Sequence, residues 1–180
     1  MRTFVAAEIS DEKVLNSIAK LQSEIKINAK PVSKQNMHFT LLFLGEISDE
    51  MAKKVMESLN MVSFSPIEVS LAEVGAFPNT RFPRVVWIGV DQGAAKSLSE
   101  LAKQVEEKLF PLGFRSDKPF KPHLTIFRIK ERRSDISGEL SRFKTSSVGL
   151  QVISELKFKK SILTPEGPIY SDLQVVKARQ

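Results

Sequence analysis

Two short stretches constrain this chain most: Met37-His38-Phe39-Thr40-Leu41 and Pro122-His123-Leu124-Thr125-Ile126. They hold the only two histidines among 180 residues, each followed at the second position by threonine and set in an apolar run. Short apolar runs read as strands, and in a strand residues i and i+2 share a face. His38 then projects with Thr40, and His123 with Thr125. If the two strands lie close in the fold, two imidazoles and two hydroxyls converge on one cleft. Imidazole changes charge near neutral pH, so a pair can divide acid and base work. Threonine hydroxyls can hydrogen-bond phosphate oxygens. The constellation points to metal-free chemistry on a phosphodiester. A lone histidine in an apolar strand is usually structural, but here that reading must hold twice. Threonine occupies 6 of 180 positions, so the double coincidence arises by chance about once in 900, or about once in 100 after allowing for the choice of offset.

A chain of 180 residues has the length of one domain, or of two small lobes sharing one core. It has no cysteine, which removes disulfides, thiolate catalysis and cysteine-based zinc sites. Two histidines make a structural metal site improbable, and no cofactor is expected, although carboxylates could hold magnesium. The N-terminal stretch Met1–Glu8 does not read as a signal peptide. No apolar run reaches membrane-spanning length, so the expectation is a cytoplasmic protein with no membrane partner. Basic residues number 27 against 21 acidic, a net charge of +6. That excess weakly favours polyanions such as nucleic acid.

Along the chain, residues 3–9 read as a central strand with apolar residues on both faces. Ser10 reads as the N-cap of a helix whose apolar face is Val14, Leu15, Ile18, Leu21 and Ile25, ended by Ala29-Lys30-Pro31. A strand over 37–44 is closed by Gly45, and Ser48 caps a second helix with Met51, Val55 and Leu59 inward. Residues 67–74 alternate as a strand with one buried face. Residues 75–84 read as a loop in which two arginines and two phenylalanines alternate, suited to bases and phosphates or to plain anchoring. Val85–Val90 reads as a buried strand and 94–110 as the third helix, closed by Gly113 in a left-handed cap. A basic, aromatic lead with Lys118, Phe120 and Lys121 runs into the second histidine strand, 123–129. Lys130-Glu131-Arg132-Arg133 reads as a solvated turn. Short alternating segments with a Pro/Gly turn at 165–168 fill the remainder. Strands outnumber helices, which gives an α+β fold with antiparallel sheets. Each half holds a strand, a helix and a histidine strand, with the histidines 85 residues apart (123 − 38), consistent with two pseudo-symmetric lobes.

These residues carry a family resemblance. The chain resembles the 2H phosphoesterase superfamily, defined by two H-x-[T/S] motifs, and within it the bacterial and archaeal RNA 2′,3′-cyclic phosphodiesterases, also called 2′-5′ RNA ligases. The matching stretches are 2–6, 36–45, Val74–Pro78, Pro83–Trp87, Lys118–Ile126 and Ser161–Tyr170. The resemblance implies one 2H phosphoesterase domain over 1–180, built of two intertwined lobes. Antiparallel sheets would line a central cleft, with the helices outside. It implies hydrolysis of RNA 2′,3′-cyclic phosphate ends to 2′-phosphomonoesters without metal, with a possible reverse 2′-5′ ligation. The family's roles transfer to His38 and His123 as catalytic residues and to Thr40 and Thr125 as substrate-binding residues. By the same resemblance Arg128 contacts phosphate and Phe43 lies near the base. Both stand five positions after their histidine, an odd offset that reaches the cleft only if the strand bulges or ends first. Phe127 stands where the family often has a small residue.

The implied mechanism is in-line attack by water, with His123 as general base and His38 as general acid; symmetry leaves the exchange of roles open. Its substrate partner is RNA with a 2′,3′-cyclic phosphate end, a tRNA fragment being the natural candidate. With no unassigned apolar stripe the chain is expected to be a monomer. Two other readings compete: another 2H activity, on 2′-5′ oligonucleotides or ADP-ribose cyclic phosphate, and a non-catalytic RNA-end-binding module that turns nothing over.

Overall fold

The computed structural model describes residues 1–130 and 134–179. Of the Lys130–Arg133 run, residues 131–133 lie outside the described residues. Among the described residues the strands are β1 (Arg2–Glu8), β2 (Lys30–Pro31), β3 (His38–Glu46), β4 (Ile67–Phe77), β5 (Val85–Val90), β6 (Leu124–Arg128), β7 (Ser147–Ile153), β8 (Glu155–Thr164) and β9 (Gly167–Lys177). The helices are α1 (Glu12–Glu24), α2 (Asp49–Leu59), α3 (Gln92–Leu109) and the short α4 (Ser137–Ser141). The strands form two sheets, one ordered β3-β1-β8-β9 and the other β2-β6-β5-β4-β7, with every pairing antiparallel. Apart from β2, the two orders match strand for strand, and the histidine strands β3 and β6 hold equivalent places. The first sheet takes strands from both ends of the chain, so the two sheets cannot be separated by a single cut.

Helix caps follow side-chain chemistry. Asp11, not Ser10, caps α1: its carboxylate accepts from Lys13 N at 2.8 Å and Val14 N at 3.2 Å. Ser10 is committed elsewhere, accepting from Gln151 Nε2 at 3.2 Å while its backbone N–H donates to Gln151 Oε1. Ser48 caps α2 as expected, and Asp91 caps α3. Gly113 adopts φ +93° after α3, the left-handed cap that favours glycine. α1 ends at Glu24, earlier than Pro31 suggested. Lys30 and Pro31 instead pair with Arg128 and Phe127 as an edge strand. The five-residue α4 has no apolar period to announce it.

The helices bury their apolar stripes against the sheets. α1 packs on β7 and β6, α3 on β4 and β3, and α2 on α3. Val14, Ile18 and Leu21 of α1 and Leu98, Leu101 and Val105 of α3 enter the common core. No helix among the described residues is long and apolar enough to cross a membrane.

Two strand readings change. β5 is not buried on both faces: Val86 and Ile88 are core, while Val85 and Trp87 are half-buried on the other side. Residues 75–77 belong to β4 rather than to a loop. Gly75 lies opposite Trp87 in the ladder, and a Cβ there would come within 2.5 Å of Trp87 Cη2. Here glycine makes room for an indole, and the alternation signal is lost because one side chain is missing. Gly75→Ala is therefore expected to destabilise the fold by about 1–3 kcal/mol and to alter the fluorescence of Trp87, the only tryptophan. Urea unfolding followed by that fluorescence measures both.

Candidate active site

In both histidine strands the backbone inserts one unpaired residue just beyond the threonine. On β3, Thr40 pairs with Ala6 and Leu42 with Val5, which leaves Leu41 without a partner on β1. On β6, Thr125 pairs with Trp87 and Phe127 with Val86, which leaves Ile126 without a partner on β5. Each is a β-bulge, which shifts the side-chain alternation by one. Both residues of each pair, Leu41 with Leu42 and Ile126 with Phe127, turn into the core. The following residue comes out on the histidine face. Phe43, 63% exposed, thereby joins His38 and Thr40, and Arg128 joins His123 and Thr125. The odd offset is reconciled by the same device in both sheets. Phe127 is buried on the far side, away from Arg128.

All six side chains line one cleft of about 1530 Å³, together with Phe77, Arg84, Phe120 and Tyr170. The cleft is cation-rich. Lys30, Arg84, Lys118, Lys121, Arg128 and Lys130 line it, and Glu166 is the one lining acid among the described residues. Of the Arg/Phe segment at 75–84, Phe77 and Arg84 reach the cleft, whereas Arg81 and the exposed Phe82 do not line it. Among the described residues no three His, Cys, Asp or Glu side chains gather as a metal site.

Each imidazole is fixed through Nδ1, which donates to a backbone carbonyl two residues earlier: His38 to Asn36 O at 2.8 Å and His123 to Lys121 O at 2.5 Å. That bond selects the tautomer and leaves Nε2 as the ring nitrogen able to take up a proton. Thr40 Oγ1 lies 3.1 Å from His38 Nε2 and donates to the neutral ring. Aromatic rings hold the imidazoles in place. Phe4 and Tyr170 pack on His38 with ring centroids 5.1 and 5.4 Å away. Phe77 meets His123 edge-on at 4.7 Å and is itself backed by Trp87 at 5.3 Å. Asn36 ties the first site to the β8–β9 turn by donating to Pro168 O at 3.2 Å.

Burial pushes His38 from 6.5 down to about 4; the Asn36 carbonyl opposes the shift, and the charges of Lys159 and Arg128 add to it. Burial also lowers His123, the Lys121 carbonyl opposing and Arg128 adding. Arg128 thus lies close enough to disfavour positive charge on both rings, as a cation seated between two imidazoles would. Both rings rest uncharged at neutral pH. An anion entering the cleft reverses that balance, because it favours the imidazolium form.

Phe4, Trp87 and Tyr170 carry no site signal in the sequence, and Phe77 carries one only as part of the Arg/Phe segment at 75–84. Phe4 stands in a strand with apolar residues on both faces, so periodicity alone could not separate it from core. Tyr170, half-buried, has its hydroxyl pushed upward in pKa by burial.

A family model for LigT-like phosphoesterases matches the chain twice, over residues 9–87 and 88–170. A protein of Archaeoglobus fulgidus named RNA 2′,3′-cyclic phosphodiesterase is 43% identical over 178 residues, covering 97% of this chain and 99% of that protein. One of the same name from Methanocaldococcus jannaschii is 38% identical, covering 94% and 96%. Among solved structures, TT0787 of Thermus thermophilus superposes with a TM-score of 0.81 at 26% identity, covering 98% of this chain and 97% of that one. With two family matches in tandem, each holding one histidine motif, the chain belongs to the LigT-like phosphoesterase family.

Proposed function

We propose that this protein hydrolyses RNA 2′,3′-cyclic phosphodiester ends to 2′-phosphomonoesters by a two-histidine acid/base mechanism. The observation that carries the reading is the gathering of His38, Thr40, His123, Thr125 and Arg128 on one cleft. The full-length similarity to proteins named for that activity supports it. The cleft exceeds the roughly 300–1,000 Å³ usual for a small-molecule site, and its cationic lining suits a strand rather than a lone nucleotide.

In this mechanism a water oxygen attacks phosphorus in line with the P–O3′ bond. His123 Nε2 takes the water proton as the new P–O bond forms. The P–O3′ bond breaks, and the imidazolium of His38 gives its Nε2 proton to the 3′ oxygen, leaving a 3′-hydroxyl and a 2′-phosphate. Thr40 turns its hydroxyl from His38 to a non-bridging oxygen, Thr125 donates to the other, and Arg128 offsets the charge that grows there. Phe43 offers an exposed ring to the terminal base. Because both rings are uncharged in the free protein, His38 acquires its proton as the anionic substrate binds. An imidazole held low in pKa makes a strong acid once charged.

RNA oligonucleotides ending in a 2′,3′-cyclic phosphate, incubated in EDTA, test the reading. His38→Ala and His123→Ala should each lower kcat/KM by about 10²–10⁴-fold, and the wild-type product should carry a 2′-phosphate. A 3′-phosphate product would reverse the leaving oxygen. RNA binding with no turnover in any form would make the protein a binding module. The lowered pKa values set the pH dependence. The kcat/KM profile, which reports the free enzyme, should be bell-shaped with its optimum below about pH 6.5, and the kcat profile should lie at higher pH because bound phosphate favours imidazolium. A profile flat from about pH 4 to 9 would contradict the acid/base pair.

A further inference from the structure

Next to His38, on the same face of the first sheet, lies a closed ring of four charges that the mechanism above does not use. Glu8 ends β1 directly opposite His38 on β3. Lys157 and Lys159 on β8 lie opposite Ala6 and Phe4 of β1, and Asp172 on β9 lies opposite Lys159. Lys157 Nζ reaches Glu8 Oε2 at 2.8 Å and Asp172 Oδ2 at 3.0 Å. Lys159 Nζ reaches Asp172 Oδ1 at 2.7 Å and is bonded to Glu8 Oε1. Two ammonium groups and two carboxylates therefore alternate around a square, each bonded to both of its opposites. The Lys159 side chain is only 6% exposed. Burying a lysine this deeply is rare without pairing, and a buried ion cluster is often no more stable than apolar residues filling the same volume.

We propose that this ring is a positioning device that governs when His38 carries its proton. Both Glu8 oxygens are held by ammonium groups, so the carboxylate facing His38 is already engaged and is a poor partner for an imidazolium. Lys159 and Arg128 oppose charge on His38, Glu8 favours it, and the Lys159 effect exceeds that of Glu8. Tyr170, packed edge-on against the His38 imidazole, has its hydroxyl pushed upward by burial and so stays neutral at working pH. Within the ring, the carboxylates outweigh burial to raise Lys157, and the lysines outweigh burial to lower Asp172. Lys157 and Asp172 thus remain charged across the working range. A fixed field of this kind makes the proton on His38 conditional on a phosphate anion in the cleft. The inference rests on reading His38 as a proton-transfer group, and its first readout does not depend on that reading.

Because the chain has two histidines, the Hε1 region of the NMR spectrum holds two imidazole signals, and His123→Ala assigns them. In K159M the His38 titration should rise by about 1 pH unit or more, a tenfold gain in proton affinity. K159R, which keeps the charge, should restore the wild-type value. E8Q, which keeps the shape of Glu8, should lower the fraction of charged His38 at a given acidic pH, and it carries the same test if K159M does not fold. The acid limb of kcat/KM should follow the NMR shift, which a purely structural role would not produce. A folded K159M or E8Q whose His38 titration stays within about 0.2 pH unit of wild type would overturn the proposal. An NMR shift without a matching move in the rate profile would leave the ring's effect standing and count instead against His38 as the proton-transfer group.

Discussion

One unpaired residue in each histidine strand decides which side chains meet in the cleft. Without the bulges at Leu41 and Ile126, strict alternation would carry Phe43 and Arg128 to the core face. The bulges instead send two adjacent apolar residues inward, Leu41 with Leu42 and Ile126 with Phe127. The polarity of the cleft and the packing beneath it are therefore set by the same backbone irregularity. An arginine buried without a partner would be costly, so the β6 bulge and Arg128 are mutually dependent. The β3 bulge likewise brings Phe43 out on the cleft face, where the ring is exposed.

The two lobes share a plan but not an environment. Both imidazoles anchor Nδ1 on the carbonyl two residues back, and both pack against aromatic rings. His38 lies deeper, between Phe4 and Tyr170 and beside the ring of Lys157, Lys159, Glu8 and Asp172. His123 sits nearer solvent, with Phe77 and Trp87 behind it. The topology is pseudo-symmetric, but the electrostatics are not: burial lowers the proton affinity of both imidazoles, and that of His38 the further.

Much of this was legible in the sequence because it rests on local patterns. The two histidine motifs, the helical stripes of α1 to α3, the Ser48 cap and the left-handed Gly113 all follow from spacing and side-chain chemistry. The pairing order of the sheets was not legible, since antiparallel strands of similar composition can pair in several ways and the burial of long-range partners decides among them. Ser10 reads as the cap of α1 from its own segment, and only its bond to Gln151, 141 positions away, shows why Asp11 takes that place instead. Gly75 looked like a loop signal because its role, space for Trp87, is visible only across the ladder. The four-charge ring was hidden for the same reason: Glu8, Lys157, Lys159 and Asp172 each look solvent-exposed in their own segments and become neighbours only when β1, β8 and β9 align.

The most direct test of the account follows both imidazole resonances by NMR while an RNA oligonucleotide ending in a 2′-phosphate is added. If the two bulged strands present His38 and His123 to a single phosphate, both signals shift along one saturation curve and both titrations move to higher pH on binding. Arg128→Ala should weaken that curve for both signals together. A response confined to one histidine, or two curves with different midpoints, would contradict a shared phosphate site and the central claim built on it.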